Sequence, residues 1–159
     1  VDIPGHTPGH IGLYETNHRI FFGGDHVLAT ITPNITFWDF EQDSLGQYFS
    51  SLRKVSDLDI DLLCTAHREN VHNHRQRIHE LENHHKRRLA EVRSILQDGP
   101  KNACEVAAKM TWEIRAKSWD EFPKAQKFFA TGEAASHLEY LYNTSQIKRT
   151  VTGGTMYYG

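Results

Sequence analysis

The sequence predicts an α/β fold, and two features of its patterning carry that prediction. In the first 66 residues, short apolar runs of strand length alternate with a stretch in which apolar residues recur at helical spacing. The order is strand, strand, helix, strand, which is typical of an α/β layer whose loops gather at the strand ends. Beyond residue 67 the pattern changes to a long amphipathic helix followed by shorter elements.

The elements of the first part follow from its apolar runs and turn residues. Thr16-Asn17-His18 separates two aromatic-rich runs and predicts a β-hairpin, whose second strand should end at the turn Gly23-Gly24-Asp25. The helix has Asp43 or Ser44 as its N-cap, and the last strand should stop at Ala66-His67. We predict strands at residues 11–15, 19–22 and 60–65 and a helix at residues 43–58.

The second part is predicted to contain helices and a hairpin. From Ile78 to Leu96 apolar residues recur at spacings of three and four, and Asp98-Gly99-Pro100 should end that helix. The further predicted elements are a short helix at residues 103–112, a helix at about 124–142, and strands at 147–151 and 155–158 around Thr152-Gly153-Gly154. Helix, helix and a two-stranded wing is the order of a winged-helix domain. We therefore predict two units, residues 1–82 and residues 83–159.

The composition excludes several classes of protein. The 159 residues carry a net charge of -2 and no long apolar run, so we expect no membrane span and a cytoplasmic location. Residues 1–66 are acidic and residues 67–159 mildly basic, an excess too small to predict a polyanionic partner alone. Cys64 and Cys104 lack CxxC spacing, which excludes a zinc ribbon and a disulfide framework. We expect both cysteines to be small buried apolar residues.

The strongest candidate site combines His6, Asp25 and His67. Each lies just after or between predicted strands, where loops from several strands converge. Imidazole and carboxylate are ligands that zinc, iron and manganese share, and a bound divalent ion lowers the pKa of water toward neutrality. Asp25 has two oxygens and is suited to bridge two ions. Taken one at a time these residues are weaker signals, because a histidine beside glycine and proline is usually a turn residue.

The other histidines are weaker candidates. His10 is expected to support a ligand through hydrogen bonds, and His26 to point away from the side that Asp25 faces. Neighbouring helical residues point about 100° apart, so His84 and His85 are poorly placed to chelate one ion. His85 should instead pack at a domain junction. The histidines expected on a solvated helix face are His72, His74 and His79.

Four segments of the chain, taken in order, resemble a known family. They are PGHTPGHIGLYE, IFFGGDHVL, AHRENV and RIHELENHHKRRLAEV. They resemble the C-terminal half of metallo-β-lactamase-fold hydrolases, specifically the branch with a C-terminal winged-helix-like domain that includes the mitochondrial β-lactamase-like endoribonuclease. The resemblance covers essentially the whole chain. It implies an α/β fold made of the C-terminal half of a metallo-β-lactamase αββα sandwich followed by a winged-helix-like α+β domain.

The resemblance also implies the metal ligands. By position, His6 is a ligand of the first metal, Asp25 bridges the two metals, His67 is a ligand of the second, and His10 supports them. Zinc is expected, as two ions in the full-length protein, and iron or manganese fit the same ligands. The family's leading HxHxDH block is absent from these residues. We therefore expect a C-terminal segment, inactive alone, whose partner is the N-terminal half of the same domain.

The activity that the resemblance implies is hydrolysis of a thioester, an ester or a phosphodiester by a metal-bound hydroxide. The substrate would be a small molecule or, because of the mitochondrial relative, single-stranded RNA. A solvated helix face is the more frequent explanation of basic residues on a helix. The residues that would line a phosphate path are Arg75, Arg77, Lys86, Arg87, Arg88 and Arg93.

The alternative function is a winged-helix module that binds nucleic acid or protein. Its helix at about 124–142 carries Lys124 and Lys127 against Glu133 and Glu139, unlike the basic surface of a groove-reading helix. We therefore expect this unit to pack on the hydrolase domain and shape the mouth of the site. The aromatic residues expected in its core or docking face are Trp112, Trp119, Phe122, Phe128 and Tyr140.

Overall fold

The chain folds into two small sheets and four α-helices in the computed structural model, which describes residues 1–113, 116 and 118–159. In chain order the elements are β1 (Leu13–Glu15), β2 (Ile20–Gly24), α1 (Ser44–Ser56), β3 (Leu62–Thr65), α2 (His74–Leu96), α3 (Ala103–Lys109), a 3₁₀ turn (Trp119–Glu121), α4 (Lys124–Asn143), β4 (Arg149–Thr152) and β5 (Thr155–Tyr158). Each predicted helix and strand is present, with ends that differ by a few residues. The mixed α/β class is confirmed.

The first sheet places the ends of β2 and β3 side by side. β1 pairs antiparallel with β2, and β2 pairs parallel with β3 after a crossover that contains α1. The prediction that Gly23 and Gly24 lie outside the strand is wrong, because Gly24 still pairs with Thr65. Its carbonyl also accepts from the Ala66 N–H at 2.9 Å. Backbone pairing needs no side chain, so glycine continues the strand to its end.

The two faces of this sheet differ in exposure. Phe21 is fully buried in the core that the helices share. Leu13 and its cross-strand partner Phe22 are 65% and 49% exposed. Side chains alternate between faces along a strand, so these two lie on the face opposite Phe21. The described residues therefore leave an open apolar sheet face.

Helices α1, α2 and α4 pack against one another around a shared buried core. Asp43, rather than Ser44, is the N-cap of α1, because its carboxylate accepts from the Gly46 N–H at 2.9 Å. Helix α2 is continuous across residues 82 and 83, where the two predicted units would meet, and it contacts both α1 and α4. The division into two units stays a prediction.

The C-terminal elements follow in the predicted order of helix, helix and hairpin. Helix α3 begins with a capping box in which Asn102 and Glu105 exchange side-chain-to-backbone hydrogen bonds. Strands β4 and β5 pair antiparallel around Gly153-Gly154. Tyr158 and Lys101 exchange two backbone hydrogen bonds of 2.9 Å, which attach β5 to the start of α3.

Local backbone geometry ends α3 earlier than predicted. Helix α3 ends at Lys109 rather than at the predicted Trp112, because Met110 adopts an extended backbone. The Trp112 indole then donates to the Ala107 carbonyl at 2.8 Å, which holds the following segment against the helix.

Within the described ranges, every helix is too short or too polar to cross a bilayer.

Two predictions of side-chain exposure are wrong. His74 is buried rather than solvated, because it begins α2 beside the backbone of Ser56, Leu58 and Ile60. Cys104 is exposed rather than buried, because it lies in the first turn of α3, whose buried residues come later in the helix.

A pair of buried histidines joins α2 to α4. The His137 Nδ1–H donates to the Glu133 carbonyl at 2.7 Å, so Nε2 accepts from the His85 Nδ1–H at 3.1 Å. The His85 ring also lies edge-on to Tyr48, with ring centroids 5.5 Å apart. His85 is thus buried in the packing of α1, α2 and α4, while its predicted place at a domain junction stays a prediction. Burial lowers the pKa of His137 to about 3 and that of His85 well below its usual value.

The buried pair should make the protein sensitive to acid. In the unfolded chain the His137 imidazole takes up a proton near pH 6.5. In the folded protein, where His137 lies near His84 and Arg88, it stays neutral down to about pH 3. The free energy of unfolding should therefore fall as the pH drops through this window. His137→Gln keeps an acceptor for His85. It should reduce the slope of the free energy of unfolding against pH by about 1.4 kcal/mol per pH unit, measured by urea titrations at several pH values. His72→Gln, at an exposed position, is the control; equal slopes for both variants would contradict the assignment.

Candidate metal centre

The loop that carries His6 is held against α1 by its backbone. Gly5 has φ +140°, and a Cβ at this position would lie 2.5 Å from the Tyr48 Cβ. The carbonyl before it, that of Pro4, accepts from the Ser51 hydroxyl at 2.8 Å. Only glycine combines this backbone angle with such close contact to a helix. The PGH sequence therefore sets the position of His6 relative to α1.

One hydrogen bond fixes the tautomer of His6. Its Nδ1 lies 2.9 Å from the Asn34 carbonyl, which only accepts, so Nδ1 carries the proton. The lone pair is then on Nε2, the form in which a neutral imidazole binds a metal ion. Metal-binding histidines commonly donate their second ring nitrogen to a carbonyl in this way.

The parallel pairing of β2 and β3 brings Asp25 and His67 together. Both residues follow the ends of these neighbouring strands, which are still bonded at Gly24 and Ala66. The His67 Nε2 lies 3.2 Å from the Asp25 Oδ1, and the two side chains are 62% and 31% exposed. A carboxylate and an imidazole thus converge at an open edge of the sheet, while their role as metal ligands stays a prediction.

His10 lies next to His6 and Gly24. Its ring centroid is 5.9 Å from that of His6, and its Nε2 occupies the space that a Gly24 Cβ would need. Burial and the neighbouring His6 lower the pKa of His10, although Asp25 acts in the opposite direction. The lowered pKa favours a neutral His10 imidazole beside a candidate ligand, and its supporting role stays a prediction. The His10 Nδ1 is buried and meets no hydrogen-bond partner among the described residues.

His26, which was predicted to point away from the side that Asp25 faces, is a buried neighbour of the site. It is fully buried, with its ring 6.3 Å from that of His10 and 5.3 Å from that of Tyr48. Burial lowers its pKa to about 3. Asp25 is partly exposed while His26 is fully buried. The two side chains therefore differ in direction, but through a turn after β2, in which the His26 N–H donates to the Gly23 carbonyl at 3.1 Å, rather than through strand alternation.

The residues fit part of a metal centre rather than a whole one. Their imidazole and carboxylate donors suit zinc, iron or manganese. Asp25 and His67 are adjacent, and His6 has the required tautomer. Across residues 1–113, 116 and 118–159, however, no group of three or more His, Cys, Asp or Glu side chains is close enough to hold an ion. The set His6, Asp25 and His67 therefore stays a prediction.

Comparison with known proteins points to a class that fits this geometry. Residues 1–67, which include all three candidate ligands, match the sequence model of the metallo-β-lactamase superfamily. The whole fold is similar to that of a β-lactamase domain protein from Burkholderia ambifaria, with a TM-score of 0.87 and 29% identity over 98% of this chain. The matches support a relation to this superfamily.

Two further relatives agree with that class. The chain is 26% identical, over 99% of its length, to a Bacillus subtilis (strain 168) protein described as a probable metallo-hydrolase, YqjP. A metallo-β-lactamase family protein from Thermus thermophilus has a TM-score of 0.79 and 28% identity over 99% of this chain. The chain spans 49% of the Bacillus protein, 45% of the Burkholderia chain and 47% of the Thermus chain.

The contact between Gly5 and α1 gives a direct test of what positions His6. Gly5→Ala should lower the free energy of unfolding by about 2–4 kcal/mol, because the methyl group meets the Tyr48 backbone at a positive φ. Gly9→Ala is a matched control in the same loop, where a Cβ meets nothing within 4 Å. It should change stability by less than about 0.5 kcal/mol. Equal denaturation curves for the two variants would show that the loop is not held by this contact.

Proposed function

We propose that this chain supplies one part of the catalytic centre of a metal-dependent hydrolase of the metallo-β-lactamase superfamily. The observation that carries the proposal is the 3.2 Å approach of His67 Nε2 to Asp25 Oδ1 at the ends of two parallel strands. His6, on the loop beside this edge, is the third ligand. Zinc is the proposed metal, as two ions, with iron or manganese as the alternatives.

Each residue has a distinct role in the proposed centre. Asp25, His6 and His67 would hold the metal ions, with Asp25 shared between the two ions and one histidine on each. His10 stays neutral beside them because burial lowers its pKa. A divalent ion held here would act as a Lewis acid and bring the pKa of a water molecule toward neutrality, which supplies the hydrolytic nucleophile.

The remaining ligands belong to the N-terminal half of the same domain, which is the proposed partner. Support comes from the open sheet face, where Leu13 and Phe22 are 65% and 49% exposed, and from Ile11 beside them at 58%. Apolar side chains at paired strand positions are typical of a face that another layer covers. In the absence of that layer we expect the 159-residue chain to be inactive.

The proposed substrate is a small molecule with a thioester or ester bond. Single-stranded RNA is the weaker candidate, because the side chains expected to line a phosphate path largely bind the protein itself. Arg75 donates to the carbonyls of Ser56 and Leu58, and Arg77 donates to those of Leu28 and Ile31. Residues that hold backbone carbonyls have few donors left for phosphates.

The C-terminal unit, which we propose to be winged-helix-like, packs on the loop that leads away from the site. The Gly132 carbonyl accepts from the Phe37 N–H at 2.9 Å, and the Ser136 hydroxyl donates to the Ile35 carbonyl. A Cβ at Gly132 would collide with the Thr36 side chain. These contacts favour a unit that shapes the mouth of the site over an independent binding module.

Metal content tests the proposed ligands. In the product of the complete reading frame, His67→Ala and Asp25→Asn should each lower bound zinc and abolish hydrolysis of thioester and ester substrates. His10→Ala should weaken zinc binding by about 10–100-fold without abolishing it, because it removes only a supporting group. His79→Ala, at an exposed position on α2, is the control. Unchanged zinc and activity in the first two variants would refute the assignment.

The open sheet face gives a separate test of the proposed partner. Leu13→Ser should destabilise the product of the complete reading frame by about 1.5–3 kcal/mol if another layer buries this side chain. Val151→Ser on the β4–β5 hairpin is a matched control, because Val151 is also 65% exposed. Equal shifts of the melting temperature in the two variants would mean that the sheet face is open in the complete protein as well.

A further inference from the structure

A concave surface lies between α2 and α4. It encloses about 770 Å³ and is lined by residues 30–32, Asn34, the middle of α2, Thr111–Glu113 and the first half of α4. The volume is enough for a small organic molecule. We refer to it below as the α2–α4 cavity.

A buried arginine with an unused donor forms one wall of this cavity. Arg88 is only 8% exposed. Its Nη1 donates to the Thr111 carbonyl and, at 3.1 Å, to Glu91, and its Nε lies 3.3 Å from a Glu133 oxygen. Its Nη2 is buried and has no hydrogen-bond partner among the described residues. A buried charged donor left unpaired is costly, so this atom calls for an acceptor.

The charged groups of the cavity are nearly balanced. Among its described lining residues, three arginines are matched by three glutamates, namely Arg77, Arg87 and Arg88 by Glu91, Glu113 and Glu133. Glu91 already accepts from the Thr111 N–H at 2.6 Å, and Arg77 pairs with Glu80 at 2.9 Å. Burial raises the pKa of Glu133, although Arg88 and Asn34 act in the opposite direction. The preference of the inner end for an anion therefore rests on the unpaired Arg88 Nη2, while Arg87 is exposed at the rim.

Apolar surface surrounds this cationic end. The Trp112 ring stacks on Arg88, with the guanidinium carbon 4.1 Å from the ring centroid, and Phe129 and Ile31 also line the cavity. Stacking holds a guanidinium plane in one orientation and leaves its N–H edge available. Such a lining suits an oxyanion attached to an organic body better than it suits a free inorganic ion.

The cavity is connected to the candidate metal centre through one residue. The Asn34 carbonyl accepts from His6, while the Asn34 side chain donates to Glu133 at 3.1 Å. Glu133 in turn faces Arg88. Asn34 therefore contacts both His6 and the lining of the cavity.

We propose that the α2–α4 cavity binds the anionic end of the substrate, a carboxylate or phosphate group on a small organic body, with the Arg88 Nη2–H as its main donor. The oxyanion accepts from Nη2, and the organic body packs on Trp112 and Phe129. Arg87 closes the rim from the solvent side. The assignment of this ligand as the substrate rests on the proposed hydrolase function, whereas the binding itself does not.

Binding is measured by calorimetry on the 159-residue chain with three probes of similar shape. Benzoate and phenyl phosphate represent the two oxyanions, and benzamide is the neutral analogue of benzoate. We expect one or both anions to bind at millimolar concentration and benzamide to bind at least about tenfold more weakly, because it lacks the charge that Arg88 recognises. Equal binding of benzoate and benzamide, or no binding of either anion, would overturn the proposal.

Variants locate the bound anion. Arg88→Lys should weaken anion binding by about tenfold, because lysine lacks the planar fork. Should that variant fail to fold, Glu133→Gln provides the second test: it removes a competing acidic group at nearly constant shape and should strengthen anion binding severalfold. Lys86→Gln removes a cation from the same helix outside the cavity and should have no effect. Weakened binding in Glu133→Gln, or an equal loss in Lys86→Gln, would contradict the site.

Kinetics separate this proposal from the proposed function. In the metal-loaded product of the complete reading frame, Arg87→Gln should raise KM for an ester with an anionic group by a larger factor than KM for the matched neutral ester. Hydrolysis with no such change in KM would refute the substrate role of the cavity. Anion binding through Arg88 in a protein that neither retains zinc nor hydrolyses esters would refute the proposed function and leave the anion site standing.

Discussion

The parallel pairing of β2 with β3 is the interaction on which the rest of this structure depends. A parallel pair needs a crossover, and here the crossover contains α1, against which the His6 loop packs through Gly5. The same pairing ends both strands at one edge, where Asp25 and His67 approach to 3.2 Å. Two polar side chains that are far apart in the sequence thus become neighbours through backbone hydrogen bonds alone.

Asn34 makes the candidate centre and the C-terminal helices interdependent. Its carbonyl selects the tautomer of His6, and its side chain meets Glu133 on α4. Tyr48 makes a comparable connection on the inner side, because its ring contacts both His26 and His85 and its hydroxyl donates to the His26 carbonyl. The centre is therefore supported by the helices as well as by the sheet.

Local patterns predicted the elements, and long-range contacts account for what they missed. Apolar periodicity and turn residues were enough to find the strands and helices, because those signals depend on neighbours in sequence. The burial of His74 and the pairing of His85 with His137 depend on which segments meet in space, and one sequence does not show this. Arg88 looked like one more basic residue on a solvated helix, since nothing local indicates that Trp112 covers it.

The long connection between β2 and α1 has no helix or strand of its own in residues 25–43. It is held in place by hydrogen bonds to α2 and α4. Arg77 on α2 holds the carbonyls of Leu28 and Ile31, and α4 holds Ile35 and Phe37. A protease can cut such a segment only when the segment has detached from these helices, because cleavage needs an extended, accessible chain. The rate at which a protease cuts this connection therefore reports how often α2 or α4 releases it.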